Sequence, residues 1–306
     1  MLVSIIKRIL ASLLTLFAII TVSFFMMRAA PGGPFDAEKA PPPNIKKAIE
    51  KKYHLDKPIF TQYVYYVKGL IKFDLGPSFR VSHLSVNDVI SSGMGFTLRL
   101  GLIAIALAVF FGILFGVLAS LYHNSWFDNA IMSVAMIGIS IPNLVLAPIL
   151  LLIFGIKLKL LPVIGLNTPA SYILPSICLS LFYIANIARL TRGSMLDVLH
   201  SEYIQAAKAK GLPTWRIVIF HCLKPALIPV ISYLGPASAG MLGGGLIIEK
   251  IFVIPGVGRQ FVDSAFARDY TMALGMILFY CSLVIFFNLV VDIIYMFLDP
   301  RIRKST

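Results

Sequence analysis

Residues 201–225 read SEYIQAAKAKGLPTWRIVIFHCLKP and form the longest polar and basic interruption in the second half of an apolar chain. Its first part, residues 203–210, contains neither proline nor glycine, which favours a short helix. Gly211 can end such a helix in the left-handed conformation, and Pro213 cannot continue it. Two adjacent alanines leave one face smooth, so the helix suits insertion into a groove on another protein. The spacing alone fits a solvated amphipathic loop helix equally well.

The composition indicates a membrane protein with several spans. Of the 306 residues, 58% are hydrophobic and 13% are charged, and the mean hydropathy is +0.87. A soluble chain is about one quarter charged. The net charge of +13 would suggest a nucleic-acid partner in a soluble domain. Here the basic residues lie between apolar runs, so membrane topology explains them and no nucleic acid is expected.

Six apolar runs are predicted to cross the roughly 30 Å of bilayer hydrocarbon. They cover residues 9–27, 96–121, 130–156, 172–188, 226–248 and 271–297. Gly112 and Gly116 in the second run have the spacing that permits close helix approach. The third run is interrupted by Pro142 and Pro148. Prolines are tolerated in a span where neighbouring helices provide hydrogen-bond partners for the backbone groups that proline leaves unpaired.

The basic residues place both termini in the cytoplasm, because cytoplasmic segments are enriched in lysine and arginine. The segments predicted to be cytoplasmic contain Lys7, Arg8, Arg189, Arg192, Lys208, Lys210, Arg216, Lys224, Arg301, Arg303 and Lys304. The two short outer loops contain the smaller set Lys157, Lys159, Lys250, Arg259 and Arg268. The bias supports six spans with both ends inside.

The chain divides into four predicted parts. Residues 1–30 hold the N-terminus and the first span, and the hydrophilic residues 31–95 form a small extracytoplasmic subdomain. In that subdomain, residues 61–73 show helical spacing suited to the membrane surface. Residues 96–298 form a core of five spans with a cytoplasmic loop at 189–224, and residues 299–306 form a cytoplasmic tail.

No catalytic, metal or cofactor site is expected. The cysteines, Cys178, Cys222 and Cys281, are far apart, and the five histidines are scattered. The sequence lacks the glycine-lysine pair of a phosphate-binding loop, so ATP binding by that route is excluded. A secondary transporter would need mid-bilayer ionisable residues or an inverted repeat, and a membrane enzyme would need clustered reactive side chains. Neither pattern is found.

Several motifs carry a family resemblance. Gln205-Ala206-Ala207 followed by Gly211 resembles the EAA loop of ABC-transporter permease subunits, with glutamine where the motif has glutamate. Nearly the whole chain resembles the B-type permease subunit of bacterial oligopeptide importers, in the dipeptide, oligopeptide and nickel group. The matching stretches are ITVSFFMMR at 20–28, APG at 30–32, YHLDKP at 53–58, DLGPS at 74–78, IARLTRGSM at 187–195, AKAKGLP at 207–213, PGVG at 255–258 and RDY at 268–270. Gly95 departs from the proline often found before the second span.

The resemblance implies an all-α membrane protein with the six-helix permease fold of ABC type I importers, in the bacterial cytoplasmic (inner) membrane. It implies a complex with a homologous second permease, two ATP-binding-cassette ATPase subunits and an extracytoplasmic peptide-binding protein. Oligopeptide would pass between the permeases, and ATP would be hydrolysed on the partner subunits, so this chain is not an enzyme. Dipeptides, nickel, glutathione or cell-wall peptides are alternative cargoes of the same architecture.

Two groups of site residues are expected. By the resemblance, a coupling helix contacts the ATPase through Tyr203, Gln205, Ala206, Ala207, Lys208, Ala209, Lys210, Gly211 and Leu212. In the outer loop at 249–270, both signs of charge accompany a proline-glycine turn motif. We expect a contact with the binding protein, or an outer gate, at Pro255, Gly256, Gly258, Arg259, Asp263, Arg268 and Asp269. A structural hairpin is the alternative for this loop.

Overall fold

The computed structural model describes residues 2–29, 54–79, 84–163 and 168–298. Within these ranges the architecture is helical, and Pro77 and Ser85 form an isolated antiparallel bridge. The predicted tail at 299–306 lies outside the described residues. The same holds for residue 30 and for residues 31–53 and 80–83 of the predicted extracytoplasmic subdomain.

Twelve α-helices make up the described part of the chain. They are α1 (Leu2–Ala29), α2 (Ile59–Ile71), α3 (Val86–Leu121), α4 (Trp126–Ser140), α5 (Asn143–Leu150), α6 (Ile173–Leu199), α7 (Glu202–Ala209), α8 (Thr214–Ile217), α9 (Leu223–Ala226), α10 (Ile228–Ile251), α11 (Val257–Phe266) and α12 (Tyr270–Leu298). A π-helical stretch, Leu151–Lys157, continues α5, and another, Val218–Cys222, joins α8 to α9. A 3₁₀ turn, Pro169–Tyr172, leads into α6.

Five described helices are long and apolar enough to cross a membrane, namely α1, α3, α6, α10 and α12. Helix α4 and the α5 segment up to Lys157 qualify together but meet at 108°. The predicted third span is therefore broken. Ile141, which precedes Pro142, takes an extended conformation (φ −105°, ψ 118°), as the proline ring demands of its predecessor. Pro148 lies inside α5 and does not end it.

Two helices extend beyond the apolar runs predicted to be spans, because a helix does not stop where hydropathy changes. Helix α3 begins at Val86, ten residues before the apolar run that starts at residue 96. Its start is a capping box, in which the Ser85 hydroxyl accepts from the backbone N–H of Asp88 and the Asp88 carboxylate accepts from that of Ser85. Helix α6 runs on to Leu199 instead of ending at residue 188, so the predicted cytoplasmic loop at 189–224 starts with helix.

Glycines bring α3 and α4 close to α6. A Cβ added at Gly112 would lie 2.6 Å from Ile187 Cβ, and one at Gly116 would lie 2.5 Å from Thr191 Cβ. A Cβ at Gly138 in α4 would lie 2.5 Å from the carbonyl oxygen of Leu181 in α6. The predicted close approach at Gly112 and Gly116 is therefore confirmed. The main buried core forms around this contact and extends onto α10.

Helix α1 lies at the periphery of the bundle. Its buried Phe24 packs against Tyr63 and Tyr66 of α2, with ring centroids 5.4 and 5.6 Å away. The rest of α1 presents large apolar side chains outward, among them Leu10, Leu13, Leu14, Phe17, Val22 and Met26. Such a surface fits contact with lipid chains. Helix α2 includes residues 61–71 of the region predicted to be helical at 61–73, and Lys72 and Phe73 form the turn that follows it.

Candidate functional site

The predicted cytoplasmic helix is present as α7, Glu202–Ala209. It ends at Lys210, and Gly211 follows in the left-handed conformation with φ +75°. A Cβ added at Gly211 would have open space around it. A larger residue is therefore opposed there by its own backbone preference and not by packing.

Helix α7 has one face fixed to its own subunit. Ile204 is fully buried and packs, together with half-buried Ala207 and Leu212, in a separate small core. The other buried members of that core come from α6 and from the segment after α7, namely Met195, Ile217, Val218, Cys222 and Ala226. These contacts hold α7 against the end of α6, so the two helices are coupled mechanically.

The opposite face of α7 is open. Tyr203 is 52% exposed, and the remaining exposed residues of the predicted set are Gln205, Ala206, Lys208, Ala209, Lys210 and Gly211. Ala206 and Ala207 do not form one smooth outer face as the sequence suggests. Successive helical residues point about 100° apart, so Ala206 faces outward while Ala207 packs inward.

The segment after α7 presents apolar side chains that sequence reasoning missed. Trp215, Ile219 and Phe220 are 60%, 51% and 64% exposed, and the Trp215 and Phe220 rings contact edge-on at 6.4 Å. The Tyr203 hydroxyl donates to the His221 carbonyl oxygen at 3.4 Å, which links this segment to the open face of α7. The sequence gave no distinct pattern for Trp215, Ile219 and Phe220, because these exposed residues alternate with buried ones over a short helical stretch.

A buried ion pair, also missed, joins the start of α4 to α6. Arg192 donates from Nε to Asp128 Oδ1 at 2.8 Å and from Nη2 to Oδ2 at 2.7 Å. The Asp128 side chain is 1% exposed and also accepts from the backbone N–H of Asn124 at 3.1 Å. His123 Nδ1 lies 3.1 Å from Arg192 Nη2. The pair fixes the turn between α3 and α4 to the part of α6 that leads into α7.

The segment at 249–270, predicted to be an outer loop, contains a helix, α11. The prediction that the loop begins at Glu249 is wrong. Glu249 lies in the last turn of α10 and is fully buried. Its Oε2 accepts from the backbone N–H groups of Gly258 and Arg259 at 2.8 and 3.2 Å. Thr97 Oγ1 of α3 accepts from that of Val257 at 2.9 Å. A carboxylate at a helix N-terminus is favourable, so these bonds fix α11 to α10 and α3.

The glycines of the PGVG motif serve packing. A Cβ at Gly258 would lie 2.8 Å from Glu249 Oε2, and one at Gly256 would overlap the same carboxylate. Gly256 has φ −92°, which any residue can adopt. The left-handed residues of this segment are Val253 and Arg268, both with φ +56°. The motif therefore starts a helix beside a buried carboxylate, and its glycines are not there to supply a left-handed turn.

The other predicted outer residues divide into surface and interior. Pro255 and Arg268 are exposed, and Arg259 and Asp263 are about one third exposed, with Arg259 Nε 3.7 Å from Asp263 Oδ2. Lys250 Nζ also pairs with Asp263. Asp269 is buried and accepts from Ser78 Oγ at 2.5 Å, the Phe79 N–H at 3.2 Å and the Met272 N–H at 3.1 Å. Asp269 thus joins the segment that contains Ser78 and Phe79 to the start of α12. Gly256 and Gly258 are likewise buried.

The described ranges contain neither a metal-binding cluster nor a disulfide. No group of three or more histidine, cysteine, aspartate or glutamate side chains there could hold a metal ion. The three cysteines are free thiols. Burial raises the pKa of the Cys222 thiol, although nearby Lys208 acts in the opposite direction. The thiol therefore stays protonated and acts as a core side chain.

Comparisons with known proteins agree with this architecture. The family described as binding-protein-dependent transport system inner membrane component matches residues 112–304. The N-terminal family of such membrane components matches residues 1–88. The oligopeptide transport system permease protein OppB of Haemophilus influenzae is 48% identical over 305 residues, covering 99% of this chain and 100% of that protein. OppB of Escherichia coli K12 is 49% identical with the same coverage.

A second type of relative and two solved structures extend the comparison. The dipeptide transport system permease protein DppB of Bacillus subtilis is 44% identical over 298 residues, 97% of each chain. The inward-facing MetNI methionine ABC transporter matches with TM-score 0.59 at 18% identity, covering 69% of this chain and 96% of that one. An amino acid ABC transporter matches with TM-score 0.52 at 18% identity, covering 68% and 94%. The expected all-α fold of type I importer permeases is confirmed. This chain belongs to the family of inner-membrane components of binding-protein-dependent transport systems, the permease subunits of ABC importers.

Proposed function

We propose that this chain is one of two homologous permease subunits that together form the pathway for oligopeptides. The observation that carries the proposal is end-to-end similarity, at 48–49% identity, to proteins named as oligopeptide permeases. The match includes the N-terminal region as well as the core. The 44% identical dipeptide permease makes dipeptides the second candidate cargo.

Helix α7 is the proposed contact with an ATP-binding-cassette ATPase, two copies of which would hydrolyse ATP for the whole complex. Its open face has low side-chain volume at Ala206 and Ala209, which suits a groove. Its inner face is anchored through Ile204 beside Met195 of α6. Movement of the ATPase would therefore displace α6 together with α7. Because α3 and α4 pack on α6 through glycines, the displacement would reach the membrane core.

Helix α11 is the proposed outer contact with an extracytoplasmic peptide-binding protein. Arg259 and Asp263 are partly exposed, and Arg268 is exposed at the end of the segment. In this proposal α7 and both termini lie in the cytoplasm, and α11 lies outside. The buried Glu249 holds α11 rigidly on α10, so a load on α11 would be passed to a membrane-spanning helix.

Reconstitution tests the proposal directly. The chain is placed in vesicles with its second permease, ATPases and binding protein, and uptake of a radiolabelled oligopeptide, a dipeptide and Ni²⁺ is measured with and without ATP. We expect ATP-dependent oligopeptide uptake that requires both permeases and the binding protein. Faster dipeptide uptake would support the second candidate, and uptake without ATP would contradict both.

A further inference from the structure

A cavity of about 400 Å³ lies away from the proposed contacts, between the last turn of α1, helix α2 and the start of α12. Its lining includes Arg28, Gln62, Tyr65, Tyr66, Asp74 and Tyr270. Arg28 is the last arginine of α1 and lies near the C-terminal end of the span Ile6–Ala29. The cavity therefore sits at the level of a bilayer surface.

The guanidinium of Arg28 has aromatic neighbours but no counter-ion among the described residues. It lies 5.4 Å from the ring centre of Phe24 and 5.9 Å from that of Tyr270. Its Nε is buried without a hydrogen-bond partner, and no ion pair between described residues includes it. Aromatic faces stabilise a cation without neutralising it, and arginine stays charged. The arginine therefore retains free donors for an anion.

Other polar groups of the cavity do not supply that anion. Asp74 is exposed, and its Oδ1 accepts from the Gly76 N–H at 2.9 Å. Gln62 donates through Nε2 to the carbonyl oxygens of Leu55 and Lys57, which leaves its buried Oε1 unpartnered. Burial raises the pKa of the Tyr66 hydroxyl, which therefore stays protonated and able to donate. His54 also lines the cavity.

The surroundings of the cavity resemble the membrane interface. Helix α2 and its ends present Phe60, Ile71 and Phe73 to the outside, at 69%, 74% and 86% exposure. The same region carries the exposed lysines Lys57, Lys68 and Lys72. Apolar and basic side chains on one short helix are typical of segments that bind anionic lipid surfaces. Phosphate also matches the fork of donors that arginine offers.

We propose that this cavity binds the phosphate of an anionic phospholipid headgroup, with Arg28 as its principal ligand. The acyl chains would lie along the exposed apolar surface of α1, and the Tyr66 hydroxyl would donate to the headgroup. Bound lipid would hold α2 against α1 and α12.

Native mass spectrometry of the full chain in detergent tests this assignment. Phosphatidylglycerol and phosphatidylcholine are titrated separately, and retained lipid is counted for the wild type, Arg28→Gln, Arg28→Lys and the surface control Lys68→Gln. We expect the wild type to prefer phosphatidylglycerol, and Arg28→Gln to weaken its binding about tenfold through loss of charge-assisted hydrogen bonds. Arg28→Lys should retain part of the preference, and Lys68→Gln should change it less than about twofold.

Competition distinguishes the sources of the anion. Inorganic phosphate and a hexapeptide are each added at millimolar concentration to the wild type loaded with phosphatidylglycerol, and neither should displace the lipid. Displacement by phosphate would assign the cavity to a free anion, and displacement by peptide would assign it to a peptide carboxylate; either result overturns the lipid proposal. Equal binding of the two lipids by the wild type also overturns it. That measurement needs no variant, so it stands even where Arg28→Gln does not fold.

Discussion

The proposed cytoplasmic segment around α7 and the proposed outer segment around α11 are both short helices between candidate spans, yet different contacts define them. Helix α7 is bounded by local features, chiefly Gly211 with φ +75° and the proline that follows. Helix α11 is defined by groups distant in the chain, since its first N–H groups bond to Glu249 of α10 and Thr97 of α3. Helix α7 therefore has one open face and one buried face, whereas α11 is fixed by hydrogen bonds at its first turn.

This difference suits the proposed roles. An open α7 with low side-chain volume can enter a partner's groove while Ile204 holds it to α6. A locked α11 has little freedom to adapt, so a partner must recognise it as a rigid surface. Variants of Glu249, of the turn at Gly211 and of the open face of α7 should therefore have separable effects on stability and transport.

The largest effect on stability is expected at Glu249, which holds the start of α11. Glu249→Ala removes the acceptor for two buried N–H groups and should lower the free energy of unfolding by about 3 kcal/mol. Glu249→Gln keeps one oxygen acceptor and should cost less. Thermal unfolding in detergent measures both, with the partly exposed Asp263→Ala as the control that should cost at most about 1 kcal/mol. A loss for Glu249→Ala no greater than that of the control would mean that the carboxylate does not hold α11.

A smaller effect is expected at the turn after α7. Gly211→Val places a β-branched residue at positive φ and should cost about 1–2 kcal/mol of unfolding free energy, although its side chain has open space. Gly211→Asn should cost less, because asparagine tolerates the left-handed conformation. The same unfolding measurement compares them. Equal losses would show that the backbone conformation at this position does not limit stability.

Local patterns predicted much of this fold, and long-range contacts account for what they missed. Helix α7, its glycine end and the close approach at Gly112 and Gly116 follow from spacing and residue size. An interruption of the third span at Pro142 was predicted, but an angle of 108° was not, since hydropathy averages across the proline. The interior roles of Glu249 and Asp269 were also missed, because their partners include groups nine and about 190 residues away. A charged residue in a predicted loop is expected to be exposed, and only its partners in the fold show that it is buried.

The central claim is that the open face of α7 transmits ATP hydrolysis to transport, and the pair Ala206→Trp and Ala207→Trp tests it most directly. Peptide uptake and ATP hydrolysis are measured together in vesicles holding the complete complex, and unfolding is measured on the purified chain. Ala206→Trp should leave the unfolding free energy within about 0.5 kcal/mol of wild type. The bulk of the tryptophan in a packed groove should weaken docking of α7 on the ATPase by about 1–3 kcal/mol, and it should lower peptide uptake per ATP hydrolysed at least about fivefold. Ala207→Trp should instead destabilise the chain itself, because Ala207 packs inward. Normal coupled uptake by a stable Ala206→Trp variant would contradict the claim.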